Sequence, residues 1–239
     1  MRRWGNRRAW WVGWLFALLA ILAPAAVRAE TEVDLALVLA VDASGSVDQH
    51  RFELQKRGYA AAFRDPRVLK AIRSGLTQSI GVTMFQWTGP RLQVHVIPWT
   101  VIKDEASANA FADAIESTPR QLFGGGTSIS GAIDYGRLLL LQTPFAPTRR
   151  VIDVSGDGSN NSGRPVTLAR DDAARAGIGV NGLPILSIEP GLDRYYRDYV
   201  IGGPSAFIVP ASSYDTFADA ILKKLITEIA ESQRRKSGG

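Results

Sequence analysis

Blocks of apolar and polar residues alternate along the chain, and their periods predict strands and helices in turn. Residues 33–41 are almost continuously apolar, which is typical of a strand buried on both faces of a parallel sheet. Residues 48–64 place their large apolar side chains at helical spacing and predict a helix. Two further apolar runs, 79–87 and 92–98, flank a Thr-Gly-Pro-Arg turn, which indicates a hairpin and one antiparallel edge strand.

The alternation continues to the end of the chain. A short helical piece starts at Asp65 and Pro66, where Asp caps the helix and Pro fits its first turn. The later predicted elements are helices over residues 104–117, 128–142, 166–176 and 212–232, the last one capped by Ser212 or Ser213, and strands over residues 150–155, 179–188 and 206–209. This order predicts a doubly wound, mostly parallel α/β sheet with one antiparallel edge strand and helices on both faces.

The amino terminus has the layout of a secretory signal peptide. An arginine-rich start precedes an uncharged apolar stretch over residues 9–23, and Val27 and Ala29 stand at the −3 and −1 positions of a cleavage site. We therefore predict a signal peptide over residues 1–29 and a periplasmic or secreted mature protein without a membrane span. An uncleaved anchor is the alternative, and Arg7-Arg8 leaves export by the Sec or the twin-arginine route open.

Removal of that segment changes the charge of the protein. Residues 1–29 contain five arginines and no acidic residue, so they carry the whole net charge of +5 and leave a neutral chain. Only Trp87 and Trp99 remain as tryptophans, and without a basic patch the composition argues against nucleic-acid binding. The chain has no cysteine, which excludes disulfides and thiolate chemistry. We predict one domain over residues 30–232 and a disordered tail over residues 233–239.

Three polar segments lie next to predicted elements, at what should be one edge of the sheet. The first is residues 42–46 after the first strand, the second is residues 124–128 before the central helix, and the third is residues 155–161 after the fourth strand. They contribute the candidate metal ligands Asp42, Ser44, Ser46, Thr127 and Asp157. Because ligands bind outside the carboxyl ends of the strands in an open α/β sheet, these side chains are expected to converge. Two carboxylates and three hydroxyls form an all-oxygen set, which favours Mg²⁺, with Mn²⁺ or Ca²⁺ as alternatives, over zinc or copper.

Each segment also has a structural interpretation. Ser46 or Asp48 could cap the following helix, and the glycines before Thr127 could simply permit a sharp turn. Neither a phosphate-binding loop nor an EF-hand fits, since no Gly-Lys-Ser/Thr follows the glycines and Arg164 stands where a calcium loop starting at Asp153 needs Glu. The coincidence of three segments with the same ligand chemistry favours the metal site.

These residues resemble the metal-ion-dependent adhesion site (MIDAS) of the von Willebrand factor A family. The family pattern is Asp-x-Ser-x-Ser followed by a distant Thr and a distant Asp, and the chain is similar in particular to secreted bacterial members without an assigned function. The resemblance implies that the serines and the threonine ligate the ion directly or nearly so, while the aspartates act largely through water. One position departs from the pattern, because Gly156 precedes Asp157 where the family commonly has Thr. Asp153 is a poor substitute for Asp157, since it lies inside a predicted strand.

The function predicted from this site is binding of a partner protein, without enzymatic activity. The ion would hold a Glu or Asp carboxylate of that partner. A metal-assisted hydrolase of phosphate or ester groups is one alternative, although no spare acid or histidine is evident near the site to act as general base, and neither His50 nor His95 has a Ser or Cys in a nucleophile setting. A domain in which the ion only stabilises the fold is the other.

Overall fold

The structure, a computed structural model, describes Met1 and residues 30–234. The predicted signal peptide beyond Met1 and residues 235–239 of the predicted tail therefore lie outside the described residues. Within residues 30–234, every helix is too short or too polar to span a bilayer.

Five strands and seven helices alternate along the described residues. The strands are β1 (Thr31–Asp42), β2 (Ile80–Trp87), β3 (Gln93–Ile102), β4 (Phe145–Gly156) and β5 (Ile178–Pro184). The helices are α1 (Gln49–Arg64), α2 (Pro66–Arg73), α3 (Glu105–Ser117), α4 (Ile129–Leu141), α5 (Val166–Arg175), α6 (Leu192–Tyr195), which continues as a π-helical turn (Tyr196–Val200), and α7 (Phe217–Arg234).

The strands form one sheet in the order β3-β2-β1-β4-β5. All neighbouring pairs are parallel except β2 and β3, which pair antiparallel and place β3 at the edge. The predicted fold class is therefore confirmed: a mostly parallel sheet with one antiparallel edge strand and helices on both faces. The carboxyl ends of β1, β2, β4 and β5 meet at a common edge, which is where ligands bind in such sheets.

Two cores lie on the two faces of the sheet, and β1 contributes to both. Leu35, Leu37 and Leu39 pack with α1, α2, α3 and α7, whereas Ala36 and Val38 pack with α4 and α5. Since successive side chains of a strand point to opposite faces, a strand covered on both sides must be apolar throughout. This explains the uninterrupted apolar run that predicted β1.

Strand boundaries differ from the sequence prediction at several places. β4 begins at Phe145 rather than at residue 150, and β5 ends at Pro184 rather than at residue 188. β3 continues past Pro98 to Ile102, because Pro98 falls in an irregular stretch between the pairs Met84–Ile97 and Val82–Thr100. A proline costs no ladder hydrogen bond at such a bulge on an edge strand. Residues 206–209 form no strand and contribute one isolated bridge, Gly182–Ile208.

The start of the last helix also differs from the prediction. α7 begins at Phe217 rather than at residue 212. The Ser213 N–H donates to Thr216 Oγ1 (3.0 Å), and the Ala220 N–H donates to the Thr216 carbonyl (3.2 Å). Residues 213–216 thus form a turn of their own, and the expected caps Ser212 and Ser213 lie too far before Phe217 to cap α7.

A buried ionic triplet ties α7 to the sheet. Lys224 Nζ lies 2.7 Å from Asp153 Oδ1 on β4 and 2.7 Å from Glu228 Oε1 on α7, and all three side chains are fully buried. Asn181 on β5 donates to Glu228 (2.8 Å). Burial raises the pKa of Asp153 above its usual range, although the Lys224 ammonium opposes that rise. The single lysine thus compensates two buried carboxylates, which are costly without it.

Replacement of this lysine should therefore destabilise the fold in a pH-dependent way. We expect Lys224→Met to lose about 3–5 kcal/mol of unfolding free energy at pH 8, because it leaves two uncompensated buried carboxylates. The loss should shrink at pH 5, since Asp153, whose pKa is raised in the folded state, binds a proton there and loses its charge. Thermal unfolding at both pH values measures this, with Lys223→Met, at the exposed neighbouring position, as control. Equal stability of the two variants at pH 8 would contradict the assignment.

Candidate metal centre

The first candidate segment leaves β1 in a turn held by its own aspartate. Asp42 is the last residue of β1, and its Oδ1 accepts the Ser44 N–H (2.7 Å). Asp48, rather than Ser46, caps α1, because its side chain accepts the Arg51 N–H (2.8 Å). The capping interpretation of Ser46 is therefore wrong, and its hydroxyl is free of a capping role.

The third segment brings Asp157 to the first. Ser46 Oγ donates to Asp157 Oδ1 (2.5 Å), and Ser44 Oγ lies 3.3 Å from Ser46 Oγ. The Asp157 N–H donates to Asp42 Oδ2 (3.4 Å). Tyr214 OH donates to the second carboxylate oxygen, Asp157 Oδ2 (2.8 Å). Four of the five predicted site residues therefore belong to one hydrogen-bond network.

The glycine loop places Thr127 next to the third segment. Gly124 and Gly125 have φ values of +79° and +97°, which other residues rarely adopt, so these two glycines are needed for the turn itself. The Gly45 N–H donates to the Gly125 carbonyl (3.3 Å), which joins this loop to the first segment. The Thr127 N–H donates to Asn161 Oδ1 (2.8 Å), and the Thr127 carbonyl accepts the Asn161 N–H (2.9 Å).

The two carboxylates of the site lack a cation among the described residues. Asp42 and Asp157 are fully buried, and no lysine, arginine or histidine side chain described within residues 30–231 lies at salt-bridge distance from either. Burial, and then the charge of nearby Asp157, raise the pKa of Asp42 to about 7. The Tyr196 hydroxyl is also buried and has no hydrogen-bond partner in the described part of the chain. Burial and the nearby charge of Asp42 raise the pKa of this hydroxyl.

This donor set fits a hard divalent cation. The described residues contain no group of three or more His, Cys, Asp or Glu side chains that could hold a metal, so an ion here would depend on hydroxyl oxygens as well as carboxylates. Carboxylates, hydroxyls and water are the ligands that Mg²⁺, Mn²⁺ and Ca²⁺ take in proteins. A dication would compensate the two buried negative charges, which otherwise cost folding free energy.

The structure also gives a physical reason for Gly156. A Cβ atom at that position would lie 2.9 Å from Asp42 Oδ2, 3.1 Å from the Tyr196 hydroxyl and 3.3 Å from the Trp87 ring. Trp87 and Tyr196 therefore occupy the space that a threonine would need. Asp157 nevertheless lies directly after β4, whereas Asp153 is paired with Lys224 inside the fold.

Sequence reasoning missed three residues that surround the centre. Tyr214 binds Asp157 from the turn before α7, and the Arg51 guanidinium lies 5.5 Å above the Tyr214 ring. Arg51 Nη1 also donates to the Ser46 carbonyl (2.6 Å). Tyr196 approaches from the π-helical turn on the other face of the sheet. No local motif marks Tyr214 or Tyr196, because their contacts with the centre join segments that are distant in sequence. Arg51 lies only five residues after Ser46, but an arginine at that position belongs to no ligand pattern.

Comparison with known proteins agrees with the observed fold. The sequence model of a family described as "Protein of unknown function (DUF1194)" matches residues 32–233. No curated protein matches the sequence. Among solved structures, von Willebrand factor type A from Catenulispora acidiphila aligns with a TM-score of 0.58 at 16% identity, over 84% of this chain and 43% of that chain.

Two further structures have a similar fold. Proximal thread matrix protein 1 from the mussel byssus, with a zinc-occupied MIDAS motif, aligns with a TM-score of 0.53 at 14% identity, over 84% of this chain and 49% of that chain. The pilus adhesin SpaC from Lactobacillus rhamnosus GG aligns with a TM-score of 0.55 at 16% identity, over 85% of this chain and 30% of that chain. The chain spans half or less of these structures, and identities this low show the fold alone. They confirm the von Willebrand factor A-like fold.

The packing around Gly156 can be tested with a pair of glycine variants. We expect Gly156→Ala to lose about 1–3 kcal/mol of unfolding free energy, because its methyl group would overpack against Asp42 and Tyr196. Gly158→Ala is the matched control, since its Cβ would be 3.7 Å from Thr127 Oγ1, an ordinary contact. Thermal unfolding of both variants measures the difference. A Gly156→Ala protein as stable as Gly158→Ala would show that the site does not need glycine there.

Proposed function

The chain belongs to the DUF1194 family, and we propose that it is an exported, metal-dependent protein-binding module. In this proposal Asp42, Ser44, Ser46, Thr127 and Asp157 hold a divalent cation, Mg²⁺ in the first instance. A Glu or Asp carboxylate of a partner protein then occupies an open coordination position. Export follows from the signal peptide predicted over residues 1–29.

One observation carries the proposal. Two fully buried carboxylates, Asp42 and Asp157, share a network of hydroxyls without any protein cation among the described residues. Two acids balance a dication without exceeding its charge, so the ion could still attract a carboxylate from outside. Gly45 is exposed and Ser46 is half-buried, so the first segment reaches the surface where a partner could approach.

The descriptions of two structural neighbours also support a metal-dependent binding module. One is described with a zinc-occupied MIDAS motif, and another is described as a pilus adhesin. These descriptions belong to those proteins, but they make a metal-dependent interaction module the functional class to test first.

A hydrolase has less support from the residues around the centre. Metal-assisted hydrolysis needs a general base close to a metal-bound water. His50 is exposed on α1, and His95 lies on β3, where its Nε2 is 2.6 Å from Thr83 Oγ1. The further acid Glu189 accepts the Ser159 N–H (2.7 Å). Asp42 and Asp157 could act as bases only by giving up their proposed ligand roles.

Metal binding should stabilise the protein measurably. At a free Mg²⁺ concentration about 100 times Kd, one-site linkage contributes ~2.7 kcal/mol, which corresponds to a rise in Tm on the order of 5–11 °C. Asp42→Asn should lose most of this rise because it removes one of two charges, while its stability in EDTA stays close to that of the original protein. Asp48→Asn is the matched control, since asparagine also caps helices. A rise of less than a degree with saturating Mg²⁺ or Mn²⁺ would rule out the site.

Partner capture should depend on one hydroxyl. We expect the immobilised protein to retain a specific protein from an envelope extract in Mg²⁺ and to release it in EDTA. Thr127→Ser keeps the hydroxyl and should keep capture, whereas Thr127→Ala should reduce it at least tenfold, as measured by quantitative mass spectrometry. Capture that is insensitive to EDTA would contradict the proposal. Mg²⁺-dependent turnover in a parallel screen of phosphate and ester substrates would favour the hydrolase instead.

A further inference from the structure

We infer that the rim of this centre selects an acidic residue that lies next to a large apolar residue in the partner protein. The site for that apolar side chain is formed by Phe123 and Leu92, which we term the apolar rim. The inference rests on the proposed function, because the acidic neighbour is the residue that the ion would hold.

Phe123 is an unusually exposed aromatic side chain that is nonetheless held in place. It is 72% exposed and directly precedes the glycine loop. The Arg120 guanidinium lies 5.1 Å from the Phe123 ring centroid and 5.7 Å from that of Phe52. Cation–π contacts of this kind orient the ring. A large apolar side chain kept rigid in water is typical of a binding surface rather than of a core.

Arg120 connects this aromatic ring to the metal centre. Its Nη2 donates to the Ala43 carbonyl (3.1 Å) and to the Ser44 carbonyl (3.4 Å), while its Nε donates to the Leu122 carbonyl (2.7 Å). The same guanidinium therefore contacts both the backbone of the first metal segment and the Phe123 ring. Arg120 thus links the Phe123 ring to the backbone beside Ser44, which is a proposed metal ligand.

Leu92 extends the apolar rim on the other side of the glycine loop. It is 51% exposed and lies in the turn between β2 and β3, where its N–H donates to the Gly89 carbonyl (3.1 Å). Leu92 Cδ1 is 3.9 Å from the position that a Cβ on Gly125 would have. Because Gly125 has no side chain, it leaves the space between the glycine loop and Leu92 open to a side chain of the partner.

Charge distinguishes the two sides of the centre. Arg120 has no carboxylate at salt-bridge distance in the described part of the chain, and Arg51 has only Asp48, at 3.9 Å. Both guanidiniums contact carbonyls of the first metal segment. Glu189 follows β5, whereas Leu92 follows β2, and the sheet order places β2 and β5 on opposite sides of β1 and β4. The β2 side thus carries Phe123, Leu92 and the Arg120 guanidinium, whereas the β5 side carries the Glu189 carboxylate beside the exposed Ile188.

This asymmetry defines the occupant. An acidic side chain is attracted by the two arginines and by the proposed ion, and it is repelled by Glu189 on the β5 side. Its apolar neighbour then packs on the β2 side, against Phe123 and Leu92. The expected partner is a protein segment with an acidic residue directly beside a phenylalanine or a leucine.

Short peptides displayed densely on a sensor surface test this inference. The probes are blocked peptides that contain Glu-Phe, Phe-Glu, Glu-Ala, Ala-Glu and Gln-Phe between glycines. In Mg²⁺ the protein should bind one of the Glu/Phe peptides about tenfold more tightly than its Glu/Ala counterpart, as expected for partial burial of a phenyl ring. In Mg²⁺ the Gln-Phe peptide should bind only as weakly as the peptides bind in EDTA.

Variants of the apolar rim test whether Phe123 causes the preference for phenylalanine over alanine. Phe123→Ala should reduce the Phe-over-Ala ratio to below about twofold while Mg²⁺-dependent binding of the Glu peptides persists, and Phe123→Leu should retain most of the ratio. Tyr199→Ala, which removes another exposed aromatic side chain, on the π-helical turn, is the control and should leave the ratio unchanged.

The outcomes separate this inference from the proposed function. Mg²⁺-dependent binding without a preference for Phe over Ala overturns the apolar rim and leaves the metal-dependent module in place. A preference for Phe over Ala that persists in the Phe123→Ala protein also overturns the apolar rim. Absence of Mg²⁺-dependent binding for every peptide overturns both the rim and the proposed function.

Discussion

The burial of two carboxylates close together, Asp42 at the end of β1 and Asp157 after β4, is the constraint on which the rest of the site depends. Buried like charges are unfavourable unless hydrogen bonds or a cation compensate them. Ser46 and Tyr214 each donate to one oxygen of Asp157, and the Ser44 N–H donates to Asp42. The need for space beside Asp42 also accounts for the glycine at position 156.

One face of β4 connects this site to the stability of the fold. Asp153 and Ser155 stand at alternate positions of the strand, so their side chains point to the same face, and Asp157 follows directly after the strand. Asp153 pairs with Lys224 on α7, Ser155 accepts a hydrogen bond from Tyr59 on α1 (3.2 Å), and Asp157 accepts one from Tyr214. This polar row continues from the ionic triplet to the candidate metal centre. The same strand thus positions α1 and α7 and presents the third segment of the site.

The surroundings of the centre suit recognition better than reaction chemistry. Hydroxyls and backbone amides surround the two carboxylates, while the exposed surface nearby carries the Phe123 ring and the guanidiniums of Arg51 and Arg120. A general base would have to be a further titratable side chain aimed at the proposed ion, and Glu189 is instead bound to the Ser159 N–H. These features support a surface that binds a carboxylate of a partner and also contacts the residue next to it.

The sequence alone determined the alternation of elements, the class of the sheet and the three segments that supply candidate ligands, because periodicity, helix caps and turn residues act over a few neighbouring positions. It did not determine that Asp48 rather than Ser46 caps α1, since both residues suit that role locally. Only the tertiary structure brought Tyr214 to Asp157, Tyr196 to Asp42 and Arg120 to the Ser44 carbonyl. These contacts join residues from different elements, and packing of the whole sheet with its helices decides which of many polar side chains meet.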